Sequence, residues 1–264
     1  MFARRPRTVD LATRAGVSVA TVDRVINGRG GVRRETADKV ARALDEILAQ
    51  SRLVHGGAAK PRFEILLPAR SGRSTEVLGE ALAAHGAQAG AKVTVLPVER
   101  FNPRVLADAL LACARRGADG VAFQGVDHPE VRRAMDALAR ARIPTVTLCS
   151  DVGHERLAYV GIDNRAAGRT AGWLMGRLCR APGRLAIIWG GQLYRSHEER
   201  EAGFRSVLRA EHPGLQVIDM VDGNDDAETN YRSLREVIAG TRDLRGVYCV
   251  GGGQSGAARA LEDA

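Results

Sequence analysis

No stretch of this sequence is apolar for long enough to span a bilayer, which takes ~18 or more consecutive apolar residues. The first residues, Met1 to Pro6, are basic, but from Thr8 onward the chain is amphipathic, so a signal peptide is not expected and the cytoplasm is the expected location. Cysteine is scarce and scattered. Cys113, Cys149, Cys179 and Cys249 form no CxxC and pair with no histidine, which removes the usual zinc motifs and leaves structural thiols. His197-Glu198 lacks the second histidine of HExxH, and no Ser/His/Asp arrangement stands out. No metal, cofactor or enzymatic activity is expected. Lysine is nearly missing as well: Lys39, Lys60 and Lys92 are the only three, so the positive charge is arginine.

What is present is enough for one large or two ordinary domains. The chain has 264 residues, 45% of them hydrophobic, which supplies a sizeable core, and its 27% charged fraction suits a globular protein. The net charge of +8 is unevenly placed. Residues 1–60 hold twelve Lys and Arg against six Asp and Glu, while the remainder holds 27 against 25. Less than a quarter of the chain thus carries most of the excess, which points that segment toward a polyanion. A general preference for arginine over lysine accounts for the residue type but not for the clustering.

Two segments differ in character. Residues 8–48 read as short helices. Residues 62–264 alternate apolar, strand-like runs with amphipathic helices. The expected strands are Phe63–Pro68, Val93–Pro97, Gly120–Gln124, Thr145–Cys149, Tyr159–Ile162, Arg184–Trp189, Gln216–Met220 and Gly246–Val250. Several are apolar throughout, as strands covered on both faces are. Asn102-Pro103 and His128-Pro129 begin helices, and Gly117 and Gly240 follow them. Such alternation builds doubly wound parallel sheets, whose ligands bind at the carboxyl ends of strands. Between the segments, residues 50–61 (QSRLVHGGAAKP) have linker chemistry. The expected division is 1–49, a join over 50–61, and 62–264.

The stretch TVDLATRAGVSVATVDRVINGRGGVRRETADKVARALDEIL carries the most information. Thr8 can cap a helix over Val9–Ala15, Gly16 supplies a turn, and Ser18 caps a second helix, Val19–Ile26. Val9, Leu11, Ala12, Val17, Val22, Val25 and Ile26 form the expected shared core. Two short helices across a glycine turn make a helix-turn-helix, whose second helix enters the major groove. Docked so, Val19, Ala20 and Arg24 face base edges. Arg24 suits guanine or a phosphate, and the two apolar residues suit a thymine methyl. Thr8, Ser18, Thr21 and Asn27 suit phosphates. A three-helix protein-interaction module is the alternative for this local pattern.

AGVSVATVDRVINGRGGV resembles the headpiece of the LacI/GalR family of transcriptional repressors nearly position by position. The resemblance implies that Val19, Ala20 and Arg24 read an operator and that the protein acts as a homodimer. Asp23 stands where the family usually has serine, and Arg33-Arg34 where it usually has Ser-Pro. The family's hinge helix is interrupted by Gly56-Gly57, each costing a helix ~1 kcal/mol relative to alanine. Leu53 is the nearest candidate for the hinge leucine that enters the minor groove.

The second segment resembles the sugar-binding core of the same family and of periplasmic sugar-binding proteins. YVGIDNRAAGRTAGWLMGRL, HEEREAGF and DGNDDAETNY carry the likeness, in order and spacing. It implies a sugar or polyol effector, two subdomains, and Arg200 as the arginine that holds the ligand. Ser71, Gln124, Asp151 and Asp222 sit at strand ends, where groups that bridge hydroxyls belong. Tyr194 or Trp189 is the expected stacking face. Asp163 and Asn164 are sufficiently explained as helix caps. Gly251, Gly253 and Gly256 fit GxGxxG and leave a dinucleotide-binding reading open, although no acidic residue follows ~20 positions later. They replace the Asn-Asp often found there. The family continues with about one more strand–helix–strand set, so the second subdomain is expected to be incomplete and effector binding by the chain as given to be weak.

Overall fold

The computed structural model describes residues 8–26, 31–54, 60–191 and 193–264. The chain divides into two compact units, Met1–Ala59 and Lys60–Ala264.

In the first unit, helices α1 (Thr8–Ala15), α2 (Val19–Ile26) and α3 (Arg34–Val54) share a small core of Leu11, Ala12, Val22 and Val40. Ala15, Val17, Val25, Leu44 and Ile47 close over it. Two residues expected in that core lie outside it: Val9 and Ile26 are each 57% exposed. Val9 precedes Leu11 by two positions, about 200° around the helix, so the pair cannot face the same neighbour. Ile26 is the last residue of α2, past its packed turns. The third helix also runs further than expected, through Gln50 to Val54, because no glycine or proline interrupts it before Gly56. Leu53 therefore falls in its last turn; Gly56-Gly57 lie outside the described residues.

The second unit holds two wholly parallel sheets. The first comprises β1 (Arg62–Pro68), β2 (Lys92–Val98), β3 (Gly120–Gln124), β4 (Thr145–Leu148) and β5 (Ala158–Val160), in the order β2-β1-β3-β4-β5. The second comprises β6 (Gly183–Trp189), β7 (Leu215–Asp222) and β8 (Leu244–Cys249), in the order β7-β6-β8. Between strands run α4 (Arg73–Gln88), α5 (Pro103–Arg115), α6 (Pro129–Arg140), α7 (Asn164–Leu178), α8 (Arg195–Glu211) and α9 (Ala227–Gly240), and α10 (Gln254–Glu262) follows β8.

Both sheets are covered on two faces, and side-chain alternation shows how. Leu66, Val121 and Phe123 point into a core with α5 and α6. Their neighbours Ile65, Leu67 and Ala122 point the other way, toward Leu78 and Leu82 of α4. In the second sheet Leu185 and Ile187 meet Phe204 and Leu208 of α8, while Ile188 meets Leu234 of α9 and Ala257 of α10. The expected strands are present. Bounds shift by up to two residues; β5 ends at Val160 rather than Ile162, β7 at Asp222 rather than Met220, and β8 begins at Leu244 rather than Gly246.

Caps fall where the sequence puts them. Asn102 accepts from Val105 N at 3.1 Å and His128 Nδ1 from Glu130 N at 3.3 Å, each followed by proline. The helices α7 and α8 approach closely through glycine: a Cβ on Gly168 would lie 1.9 Å from Arg200 O, and one on Gly203 2.2 Å from Arg165 O.

One buried carboxylate sets an acid limit on this unit. Glu64 of β1, 8% exposed, accepts from Arg116 Nε at 2.9 and 3.1 Å. The Arg116 hydrogen bonds hold its carboxyl below the ordinary glutamate range. A carboxylate whose folded-state pKa is depressed stabilises the fold fully above its unfolded value, roughly 4.3, and loses that contribution as pH falls through the folded value. Arg116 is half-exposed, so the contribution is about 1 kcal/mol. In Glu64→Gln, urea unfolding midpoints should depend less on pH below roughly 4.3 than in the parent; parallel curves would remove Glu64 from the acid transition.

Candidate functional site

Two places in the molecule carry candidate functional residues, one in each unit. In the first, Ser18 precedes α2 and accepts from Thr21 N at 3.1 Å, while its hydroxyl and that of Thr21 share a hydrogen bond of 2.8 Å. The cap satisfies an otherwise orphaned amide and fixes where α2 begins. From that start, Val22 points inward at 0% exposure, and Val19, Ala20 and Arg24 point outward. Val19 is 45% exposed. Thr8 is the first residue of α1 and Thr21 is half-buried. Asn27 lies outside the described residues. Arg14 of α1 bonds Glu46 of α3 at 3.0 Å, tying the first helix to the third.

In the second unit the strand order reverses direction beside β1 and β3 in one sheet and beside β6 and β8 in the other. Loops after such strands diverge and leave a crevice. A crevice of about 880 Å³ is lined from both sheets. Arg70 and Ser71 follow β1, Arg100 follows β2, Gln124 ends β3 and Cys149 follows β4. Ser196, His197 and Arg200 come from the first turns of α8, Asp225 and Asp226 follow β7, and Gly251–Gly253 follow β8.

Backbone strain concentrates at the same place. Among the described residues, six non-glycine positions have left-handed φ: Arg70, Phe101, Arg142, Cys149, Asn224 and Asp225. Arg70, Cys149 and Asp225 line the crevice, and Phe101 and Asn224 line a recess that shares Arg70 and Arg100 with it. Only Arg142, in the turn before β4, stands elsewhere. Such conformations cost of order 1–3 kcal/mol each and gather where a site demands a particular backbone.

Arg200 is held before any ligand arrives. Its Nε donates to Asn164 Oδ1 at 2.8 Å and its Nη1 to Val250 O at 2.9 Å. Asn164, 2% exposed, is itself fixed by donating to Cys149 O and Tyr159 Oη at 3.2 and 3.0 Å. Capping explains Asp163, which accepts from Ala166 N at 2.8 Å, but not Asn164, whose work is to orient Arg200. Nearby His197 is buried, and burial lowers its pKa against the opposing pull of Asp225.

Of the residues picked from the sequence, Ser71, Gln124 and Arg200 meet at this crevice. Asp151 does not line it. Its carboxylate is consumed locally, by Thr147 Oγ1 at 2.6 Å, Val152 N at 2.9 Å and the guanidinium of Arg156. Asp222 is the last residue of β7, its backbone in register with Trp189. Neither expected stacking residue offers a ring: Trp189 is 8% and Tyr194 2% exposed, the latter edge-on to His197. Arg70, Arg100, His197 and Asp225 were not singled out from the sequence. They come from loops without periodicity, and only their place after strands could have flagged them.

The glycine run has a packing explanation. Gly253 adopts φ +74 at the start of α10, and a Cβ on Gly256 would lie 1.7 Å from Ala227 O, so the spacing lets α10 seat on α9. Among the cysteines, burial pushes Cys113 up to about 12 and Cys249 up to about 11, consistent with structural thiols. Cys149 differs in being exposed at the crevice. Among the described residues no cluster of side chains could hold a metal ion, and no helix is long and apolar enough to cross a membrane.

Comparison with known proteins finds two family matches along the chain. Residues 63–264 match the periplasmic binding protein domain family, and residues 9–48 match the bacterial regulatory proteins of the lacI family. The chain is 24% identical over 213 residues to the HTH-type transcriptional regulator DegA of Bacillus subtilis, covering 79% of this chain and 61% of that protein. It is 28% identical over 173 residues to the HTH-type transcriptional regulator MalR of Streptomyces coelicolor, covering 61% of this chain and 47% of that protein. The chain thus spans less than two thirds of the length of either relative. Among solved structures, an ABC transporter solute-binding protein of Burkholderia graminis, in complex with D-arabinose, superposes with a TM-score of 0.73 at 23% identity, covering 77% of this chain and 71% of that one. One from Agrobacterium vitis, bound to α-D-tagatopyranose, gives 0.71 at 22%, covering 77% and 72%. These likenesses concern the fold.

Proposed function

Given that this chain belongs to the periplasmic binding protein domain family and carries a lacI-family regulatory domain at residues 9–48, we propose that it is a sequence-specific DNA-binding transcriptional regulator, acting as a repressor. In this reading residues 1–49 are the headpiece, 50–61 the join and 62–264 the effector domain, and the protein works in the cytoplasm without catalysis. A small sugar or polyol in the crevice alters affinity for the operator. The observation that carries the reading is the exposed Val19, Ala20 and Arg24 on a capped α2 that packs through Val22.

Val19 and Ala20 offer methyl groups to thymine, and Arg24 offers a fork of donors to guanine. Thr8, Ser18, Thr21 and Asn27 hold phosphates and so fix register. Two such headpieces in a homodimer match two half-sites of a pseudo-palindrome. The exposed Trp173, Leu174 and Leu178 of α7 provide an apolar face for self-association. In the crevice Ser71, Gln124 and Arg200 bind the effector, with Asp151 acting at one remove through its loop and Asp222, at the end of β7, as a further effector residue. Binding of the effector shifts one sheet's helices against the other's, with a coupling of about 1–3 kcal/mol to operator affinity.

The test is selection of bound sequences from a random duplex pool, followed by gel shift on the winning site. Recovery of a paired motif is expected. Arg24→Ala should weaken that site about tenfold to a hundredfold, the 1–3 kcal/mol of one base contact, and relax preference at one base pair. Absence of any enriched sequence would defeat the regulator reading.

A further inference from the structure

The charge lining the crevice says more about its ligand than the fold does. Four arginines line it, Arg70, Arg73, Arg100 and Arg200, against two acidic residues, Asp225 and Asp226. Both carboxylates already serve the protein's own backbone. Asp225 accepts from Gly252 N, and Asp226 caps α9 by accepting from Thr229 N and Oγ1 at 2.8 Å each. Arg73 is paired with Glu76 and Glu80 at 3.4 and 3.2 Å. Among the described residues the other three arginines form no ion pair with a carboxylate. Arg200 and Arg100 bond only to neutral oxygens, Arg100 to Asp225 O at 3.3 Å, and Arg70 has no hydrogen-bond or ion-pair partner among the described residues. Glu99, which shares a recess with Arg70 and Arg100, accepts from Asn102 Nδ2 at 3.2 Å.

Two further features point the same way. No Phe, Tyr or Trp is among the residues lining the crevice, so a neutral pyranose finds no ring on which to stack. The helices α4 and α10 both begin at the crevice behind glycines, Gly72 and Gly253, with no side-chain cap for their first amides. A carboxylate or phosphate can accept from the arginines and these amides together, in charge-assisted hydrogen bonds that hydroxyls alone do not make.

Resting on the effector-crevice reading, we propose that the ligand is an anionic polyol, a run of hydroxyls ending in a carboxylate or a phosphate monoester. The anionic end meets Arg70 and Arg100, and the hydroxyls meet Arg200, Gln124 and Ser71. The shared chemistry is a compact oxyanion on a sugar skeleton, and the probes separate its two sources.

The test is calorimetric titration of the full chain with D-gluconate and D-glucose 6-phosphate, each beside its neutral counterparts D-glucose and D-sorbitol. One anionic probe is expected to bind at least about tenfold more tightly than either neutral one, and more weakly as sodium chloride rises from about 50 to 300 mM. Arg70→Gln and Arg100→Gln should each erase most of that preference without changing the weaker affinity for the neutral probe. Both side chains are solvent-accessible, and unchanged thermal unfolding of each variant shows that the fold is kept. Equal or tighter binding of a neutral probe would overturn the anionic assignment and leave the crevice as the effector site. No binding of any probe at millimolar concentration, with operator affinity indifferent to all four, would overturn both.

Discussion

Gly168→Val is expected to lower the thermal midpoint of the α/β unit by about 6–12 °C, the equivalent of about 3 kcal/mol in a domain of this size. The clash is with main chain, so no rotamer change relieves it. A Cβ at position 168 would sit 1.9 Å from Arg200 O and 2.8 Å from Arg200 Cα. From the opposite helix, Gly203 meets Arg165 O in the same way, and four residues along, Gly172 meets Phe204 O at 2.8 Å. The helices must separate by more than a methyl group, and the buried Phe204 and Leu208 lose contact with the sheet as they do. The effect reaches the crevice as well, because Asn164 begins one of these helices and Arg200 lies in the first turns of the other. Gly240→Ala is the control. It sits at the end of α9 with nothing within 4 Å of the added methyl, and should be neutral or gain about 0.5–1 kcal/mol. Scanning calorimetry that finds the two variants alike would show that the close crossing is not what holds α7 to α8.

The parts of this protein that could be read from its sequence are those governed by short-range rules. Ser18 as a cap, Gly16 as a turn and the outward Arg24 follow from spacing along one or two helical turns. The alternating strands and helices follow from periodicity, and the proline-marked starts of α5 and α6 from one dipeptide each. Reading failed where a residue's role depends on something distant. Asn164 looks like a helix start beside Asp163, and only the arrival of α8 turns it into a brace for Arg200. Asp151 follows a strand as a ligand-binding carboxylate would, yet the chain folds Arg156 back onto it. Trp189 ends its strand on the side that α7 and α8 cover, and Tyr194 turns inward between Phe101 and His197, so neither ring is left for a ligand. Arg70 and Arg100 belong to loops whose backbone angles no local pattern announces. The headpiece core was over-counted at Val9 and Ile26 because apolar residues in a three-helix unit outnumber the places inside it.

Arg200→Met should leave operator affinity in the absence of effector unchanged and raise the effector concentration needed for release about a hundredfold. Methionine keeps an unbranched apolar stem, though a shorter one, and removes all five donors. Two of those donors are spent on Asn164 Oδ1 and Val250 O, which fixes the plane of the guanidinium and leaves the others aimed without further loss of freedom on binding. Losing charge-assisted hydrogen bonds to a ligand costs about 1.5–3 kcal/mol. The Asn164 and Val250 oxygens also lose their partner, a separate cost of about 1–3 kcal/mol that appears as lower thermal stability rather than weaker DNA binding. Asn164→Ala separates the two effects. It keeps the guanidinium but frees its plane, so effector affinity should fall by less than in Arg200→Met. Gel shifts on the selected operator, titrated with whichever probe binds the parent chain, measure all three proteins alike. If Arg200→Met releases DNA at the parent's effector concentration, Arg200 is a structural tie between α8 and β8, and recognition in the crevice belongs to Arg70, Arg100 and Gln124.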